Sequence, residues 1–231
     1  MTARPIALIT GGSRGVGEAI ARALAPAYDL ILGGRDGTAL RALCDELGAR
    51  PWAVELTDER AVAEAAAGVD RLDLLVHSAG VARLGALAEL SLRDWRESME
   101  VNVIAVAGLT RLLLPPLRAS HGHVVLINSG AGQRANPGWG AYAASKFALR
   151  AFADVLRLEE ERYGVRVTTV YPGRIATDMQ REVREHEGGA YEPERYLRAE
   201  SVAAAVLAAV TASGDAHVTE ISVRPAAGPV S

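Results

Sequence analysis

The sequence predicts an α/β fold: a single-domain, doubly wound parallel sheet of about seven strands with helices on both faces. Three observations predict it. Short runs rich in Val, Ile and Leu alternate with segments of helical periodicity along all 231 residues. Most of those runs are apolar at successive rather than alternate positions, as strands covered on both faces require. The 23 Gly and 10 Pro are scattered, so no low-complexity linker divides the chain. Strict alternation calls for parallel strands joined by right-handed crossovers, and residues 1–231 then form one domain.

The elements follow in order. Residues 6–10 (Ile-Ala-Leu-Ile-Thr) make the first strand, a glycine-rich turn follows, and 16–24 carry the first helix. A strand at 30–33 leads through Arg35-Asp36-Gly37, with Asp36 as turn or N-cap residue, into a helix at 38–47. The third strand is placed at 51–56 and its helix at 59–67, capped by Thr57 or Asp58. After the strand 72–77, a long helix is predicted over 92–117, its start marked by Ser91 with Asp94 three residues on, a capping-box pattern. Strands at 123–129, 166–171 and 217–223 alternate with helices at 142–163, 179–187 and 202–211.

Composition narrows the function. Net charge is −3 with acids and bases interspersed, so no basic stripe for nucleic acid and no polybasic membrane patch exists. Cys44 is the single cysteine and no metal-ligand spacing occurs, which points to a reducing, cytoplasmic setting and to no metal. No secretory leader or run of ~18 uninterrupted apolar residues is present, so membrane association is not expected. Of the 25 basic residues only Lys146 is a lysine. Wherever a positive charge suffices, this chain uses Arg, so the one amine marks chemistry that a guanidinium cannot supply.

In doubly wound sheets ligands bind outside the carboxyl ends of the strands, so the residues just after each strand carry the functional signal. The first strand ends in Thr10-Gly11-Gly12-Ser13-Arg14-Gly15-Val16-Gly17 and runs into a helix. Such a turn lets backbone approach a pyrophosphate at a helix N-terminus. After the second strand, Gly34 leaves room where an acid for a ribose hydroxyl could stand. Arg35 and Arg14 on neighbouring loops can clamp a phosphate, which favours NADP over NAD. Farther on, Tyr142 and Lys146 are four apart on one helix face, and Ser129 closes a strand 13 residues before the Tyr.

At these residues the chain resembles the short-chain dehydrogenase/reductase family. That family's T-G-x-x-x-G-x-G turn, Ser and Y-x-x-x-K are met by Thr10 to Gly17, Ser129, and Tyr142 with Lys146. Further matches are Ser78-Ala79-Gly80 after His77, Asn102, and Pro172-Gly173 with Thr177; departures are His77, Ser78 and Glu55. The resemblance spans essentially the whole chain. It implies a Rossmann-type, NAD(P)-binding fold and an NADPH-preferring oxidoreductase that interconverts a carbonyl and a secondary alcohol. The cofactor residues it implies are Thr10, Gly11, Ser13, Arg14, Gly15, Val16, Gly17, Arg35, Leu56, Ser78, Ala79, Gly80, Tyr142, Lys146, Pro172, Gly173, Ile175 and Thr177.

The resemblance also implies roles. Tyr142 exchanges the proton at the substrate oxygen, with its pKa brought down from about 10 by the Lys146 ammonium. Ser129 donates to the carbonyl oxygen, and Asn102 holds a water that relays protons from Lys146. The substrate is a small carbonyl or alcohol, and the assembly a homotetramer or homodimer through the helices 92–117 and 142–163. Pocket candidates are Val81, Arg83, Ala131, Gln133, Arg134, Trp139 and Met179, with the charged segment 180–198 as a substrate lid. His121 and His123 are read as structural. A methyltransferase shares the alternating pattern but has no use for the Ser, Tyr and Lys; a non-catalytic dinucleotide sensor of the same fold is the alternative.

Overall fold

The computed structural model describes residues 3–35 and 37–226; Asp36, read as a turn or cap residue, lies outside the described residues. Seven parallel strands form one sheet: β1 Ile6–Thr10, β2 Asp29–Gly33, β3 Arg50–Trp52, β4 Leu74–His77, β5 His123–Ile127, β6 Arg166–Pro172 and β7 Glu220–Val223. Their order is β3-β2-β1-β4-β5-β6-β7, so the chain starts mid-sheet, builds one half, and returns to build the other beside β1. The reversal between β1 and β4 opens a crevice at their carboxyl ends, where a Rossmann-type sheet binds its ligand.

The strand period of two divides the sheet between two cores. Ala7, Ile9, Leu30, Leu32, Val125 and Val170 face one layer with helices α1 Gly15–Leu24, α2 Gly37–Leu47 and α8 Ala199–Val210. Leu8, Ile31, Leu75, Val124, Leu126 and Val167 face the other, covered by α3 Glu59–Ala66, α5 Ala105–Ala119 and α6 Gly140–Glu160. The expected starts hold: Asp58 caps α3 by accepting from the Ala61 N–H, and Ser91 with Asp94 forms a complete capping box on α4 Leu92–Met99. Helix α7 Asp178–His186 begins at Thr177, whose hydroxyl accepts from the Gln180 N–H.

Among the predicted elements whose bounds differ, three stand out. The helix expected over 92–117 is α4, a π-helical turn Glu100–Ile104, and α5. The wider turn inserts at Asn102, whose fully buried side chain is pulled toward Val81 and Ser145. The third strand stops at Trp52 instead of Leu56. The last strand begins at Glu220 because the His217 imidazole occupies the place of its ladder: Nε2 lies 3.0 Å from both the amide nitrogen and the carbonyl oxygen of Val167. The span 92–119 has the length and apolarity to cross a bilayer, yet Leu109, Leu113 and Leu117 in it are buried against the sheet.

Candidate active site

The glycine turn after β1 has its residue types for steric reasons. Gly11 has φ +64 and a Cβ there would stand 2.8 Å from the Ala79 nitrogen, so the first and fourth strand ends could not meet with a side chain between them. At Gly17 a Cβ would lie 2.1 Å from the Gly11 carbonyl oxygen, so only glycine lets α1 start against the turn. Arg14, the residue before α1, is extended and offers no side-chain cap. The first-turn N–H groups of α1 therefore have no side-chain cap there, as a pyrophosphate site requires. The Thr10 hydroxyl holds the facing turn, accepting from the N–H groups of Ser78 (3.2 Å) and Ala79 (3.3 Å). His77, buried, lies 2.9 Å through Nε2 from the Thr110 hydroxyl, and burial drives its pKa down to about 3.

All eighteen residues expected to hold a dinucleotide line a single cleft of about 1050 Å³ across the carboxyl ends of the strands. The fit is steric and polar at once: a backbone cradle that Cβ atoms would fill, a helix N-terminus, and Arg14 and Arg35 at the far end. Gly34 exposes Ser13 to that end, since a Cβ would stand 2.9 Å from the Ser13 hydroxyl. Arg35 there faces Glu55, 3.9 Å away in an exposed pair that a phosphate can displace.

Ser129, Tyr142 and Lys146 line the same cleft. Ser129 follows β5, and its hydroxyl accepts from the Ala131 N–H at 3.1 Å. Tyr142 and Lys146 stand one turn apart in α6, buried, and the Lys146 ammonium donates to the Ile127 carbonyl at 3.1 Å. Burial lowers Lys146 to about 8. Burial also pushes Tyr142 above its ordinary value, with the Ser129 hydroxyl pulling weakly the other way. The expected depression of the phenol by the ammonium is thus not expressed in the chain by itself: removal from water outweighs it, and Lys146 Nζ lies 5.8 Å from the Tyr142 ring centroid.

Asn102 lies beneath the cleft rather than on its wall. Its Oδ1 accepts from the Val81 N–H at 2.9 Å, and Nδ2 donates to the Val81 carbonyl at 2.9 Å and the Ser145 hydroxyl at 3.0 Å. Both amide hydrogens are committed, so a water held here must sit on an oxygen of Asn102. Gly80 marks the space: a Cβ there would stand 3.1 Å from Asn102 Oδ1 and 3.8 Å from Lys146 Nζ.

Two supporting residues escaped the sequence reading. Asn128 accepts from the Ser129 N–H at 2.8 Å and donates to the Lys146 carbonyl at 3.1 Å, tying β5 to α6. Ser145 donates to the Tyr142 carbonyl at 2.7 Å and receives Asn102. Only adjacency to Ser129 and Lys146 hinted at either. Of the pocket candidates, Val81, Arg83, Ala131, Trp139 and Met179 line the cleft. Gln133 and Arg134 do not: Gln133 is turned toward β7, where its Oε1 accepts from Arg224 at 2.8 Å, and Arg134 is exposed outside the cleft. Arg174 lines it unforeseen, together with Glu182 and Glu187 of the charged segment 180–198. His121 and His123 stand at the opposite end, before β5 and at its start.

The model for the short chain dehydrogenase family matches residues 5–188. Over 203 residues, 80% of this chain, the sequence is 36% identical to Dehydrogenase/reductase SDR family member 7B of Bos taurus. Over 185 residues, 75% of this chain, it is 37% identical to glycine betaine reductase ATRR of Emericella nidulans. The chain spans 62% of the length of the first and 15% of the second. An alcohol dehydrogenase from the archaeon Thermococcus sibiricus, complexed with 5-hydroxy-NADP, superposes with a TM-score of 0.85 at 29% identity, covering 96% of this chain and 97% of that one. Actinorhodin polyketide ketoreductase with NADPH gives a TM-score of 0.90 at 26% identity, covering 97% and 98%.

Proposed function

The chain belongs to the short-chain dehydrogenase/reductase family, and from that premise we propose that it is an NADPH-preferring oxidoreductase interconverting a carbonyl and a secondary alcohol. The observation that carries this reading is the meeting of Ser129, Tyr142 and Lys146 in the same cleft as the glycine cradle. The neighbours with NADP- and NADPH-type ligands support the dinucleotide, and Arg14 with Arg35 supports the 2′-phosphate.

The nicotinamide supplies the hydride when bound. Ser129 hydrogen-bonds the carbonyl oxygen and stabilises the charge that builds there. Tyr142 gives its phenolic proton to that oxygen, so the carbonyl gains one hydride and one proton and becomes an alcohol. Burial holds the Tyr142 phenol above its ordinary value, so it enters this direction carrying its proton. Lys146 returns the proton to Tyr142, refilled through a water on an oxygen of Asn102 beside Gly80. Residues 180–198 act as a lid over the substrate half, and the assembly is a homodimer or homotetramer through the helical segments 92–117 and 142–163.

The test is NADPH oxidation with a panel of ketones, aldehydes and sugars. Turnover is expected with at least one class, and Tyr142→Phe should remove it while NADPH still binds. Binding of NADPH with no turnover across the panel would instead favour the dinucleotide sensor.

A further inference from the structure

We propose that Arg174 is a positioning residue that latches the lid and sets the wall beside the catalytic phenol. The inference rests on the reading of 180–198 as a lid, to which it adds the parts that hold and release it.

Arg174 follows Pro172-Gly173 at the end of β6, inside the cleft. Its backbone and its side chain grip different parts of the following segment. The Arg174 carbonyl accepts from the Leu197 N–H at 2.9 Å, and the Ala176 N–H donates to the Leu197 carbonyl at 2.8 Å. The two ends of the excursion are thereby sewn together, and everything between them is one closed loop. The guanidinium holds the middle of that loop: Nη1 and Nη2 meet the two carboxylate oxygens of Glu187 at 2.8 and 2.6 Å, a bidentate pair.

Glu187 is prepared for this. It stands one residue after α7, and Arg184 also donates to it, at 2.5 Å. These guanidinium bonds keep its carboxyl below the usual carboxylate range. Gly188 takes φ +67, and Gly189 leaves the space that Arg184 crosses, since a Cβ there would fall 1.6 Å from its Nη2. The glycine pair therefore seats the latch instead of merely loosening the segment.

The same guanidinium touches the reaction side. Its Cζ lies 5.6 Å from the Trp139 ring centroid, and that ring meets the Tyr142 ring edge-on at 5.8 Å between centroids. A path of contacts thus runs from the lid carboxylate through Arg174 and Trp139 to the phenol. With the pair intact, Trp139 is held as one wall of the substrate site. With it broken, the middle of the loop loses its bond to the end of β6 and Trp139 loses the cation beside it.

The experiment compares Arg174→Met, Glu187→Gln, the double variant Arg174→Met with Glu187→Gln, and the control Glu46→Gln, which opens a surface pair with Arg22. Limited proteolysis should cut within 178–196 at least tenfold faster in both single variants, with the double variant no more than about twofold faster than the faster single and the control unchanged. For the carbonyl substrate, KM should rise at least tenfold in the single variants with kcat within threefold, and the double variant should add no further loss. Unchanged cleavage in Glu187→Gln, or effects that multiply in the double variant, overturn the latch; equal falls in kcat with KM unmoved overturn its positioning role. Proteolysis needs no turnover, so an inactive parent protein would sink the proposed reaction and leave the latch standing on its own result.

Discussion

Lys146 is where residue chemistry is most exposed to test. A compact ammonium on a flexible stem can reach both the Ile127 carbonyl and the proton path beside Gly80, whereas a planar guanidinium in the same buried space would bond elsewhere. Lys146→Arg should lower the rate roughly a hundredfold, about 2.7 kcal/mol of barrier, with the fold intact by circular dichroism. The lowered pKa of about 8 also has a sign. The folded chain binds fewer protons than the unfolded one from about 8 up to the ordinary lysine value, so this group's contribution to stability rises with pH through that window. An anionic dinucleotide pulls the amine back toward its charged form. Binding of NADPH near pH 8 should therefore be accompanied by net proton uptake, measured by calorimetry in buffers of different ionisation enthalpy, and Lys146→Met should abolish that uptake. At the other end of the cleft, NADPH should bind at least tenfold tighter than NADH, about 1.4 kcal/mol. Arg35→Ala should weaken NADPH and leave NADH nearly untouched, because Arg35 has no other anion near it than the loosely paired Glu55 among its described contacts. Equal affinities in the parent would sink the clamp.

At the scale of elements, the join between β1 and α1 and the π-helical turn are the places where backbone serves the site. Gly17→Ala puts a Cβ against the Gly11 carbonyl and must push α1 off the turn. It should cost roughly 1–3 kcal/mol of stability by thermal unfolding. NADPH affinity should fall by at least tenfold in a fluorescence titration; retained affinity would mean that the turn has slack the packing denies. The first turn was legible in the sequence because Gly17 is forced by the nearby Gly11 carbonyl and Gly11 and Gly15 by their own positive φ, although Gly11 also meets Ala79 from across the fold. The π-helical turn was not: the extra residue is needed only because Asn102 must reach Val81 and Ser145, partners 21 and 43 positions away. Likewise the late start of β7 follows from one imidazole meeting Val167 across 50 residues, which strand propensity does not register.

For the whole molecule, α6 leaves Val155 52% and Leu158 74% exposed, on one of the two helices through which assembly is proposed. Leu158→Glu should shift the protein to a smaller species by light scattering with its thermal unfolding little changed; an unaltered mass would move the interface elsewhere. By itself the sequence determined the doubly wound sheet, the order of its elements, the glycine cradle, and the Ser129, Tyr142 and Lys146 set. Each is written in local spacing: short unbroken apolar runs against a 3.6 period, a turn that only glycine can make, two side chains four apart on one helix. What only the tertiary structure decided was which loop side chains face the cleft. Gln133 turns away to Arg224 while Arg174 turns in to Glu187, and the engaged Asn102 amide leaves only its oxygens for a water. Those outcomes depend on which partner each polar group finds across the fold, and a buried or crowded polar group goes to the partner that geometry brings within reach, wherever it lies in the chain.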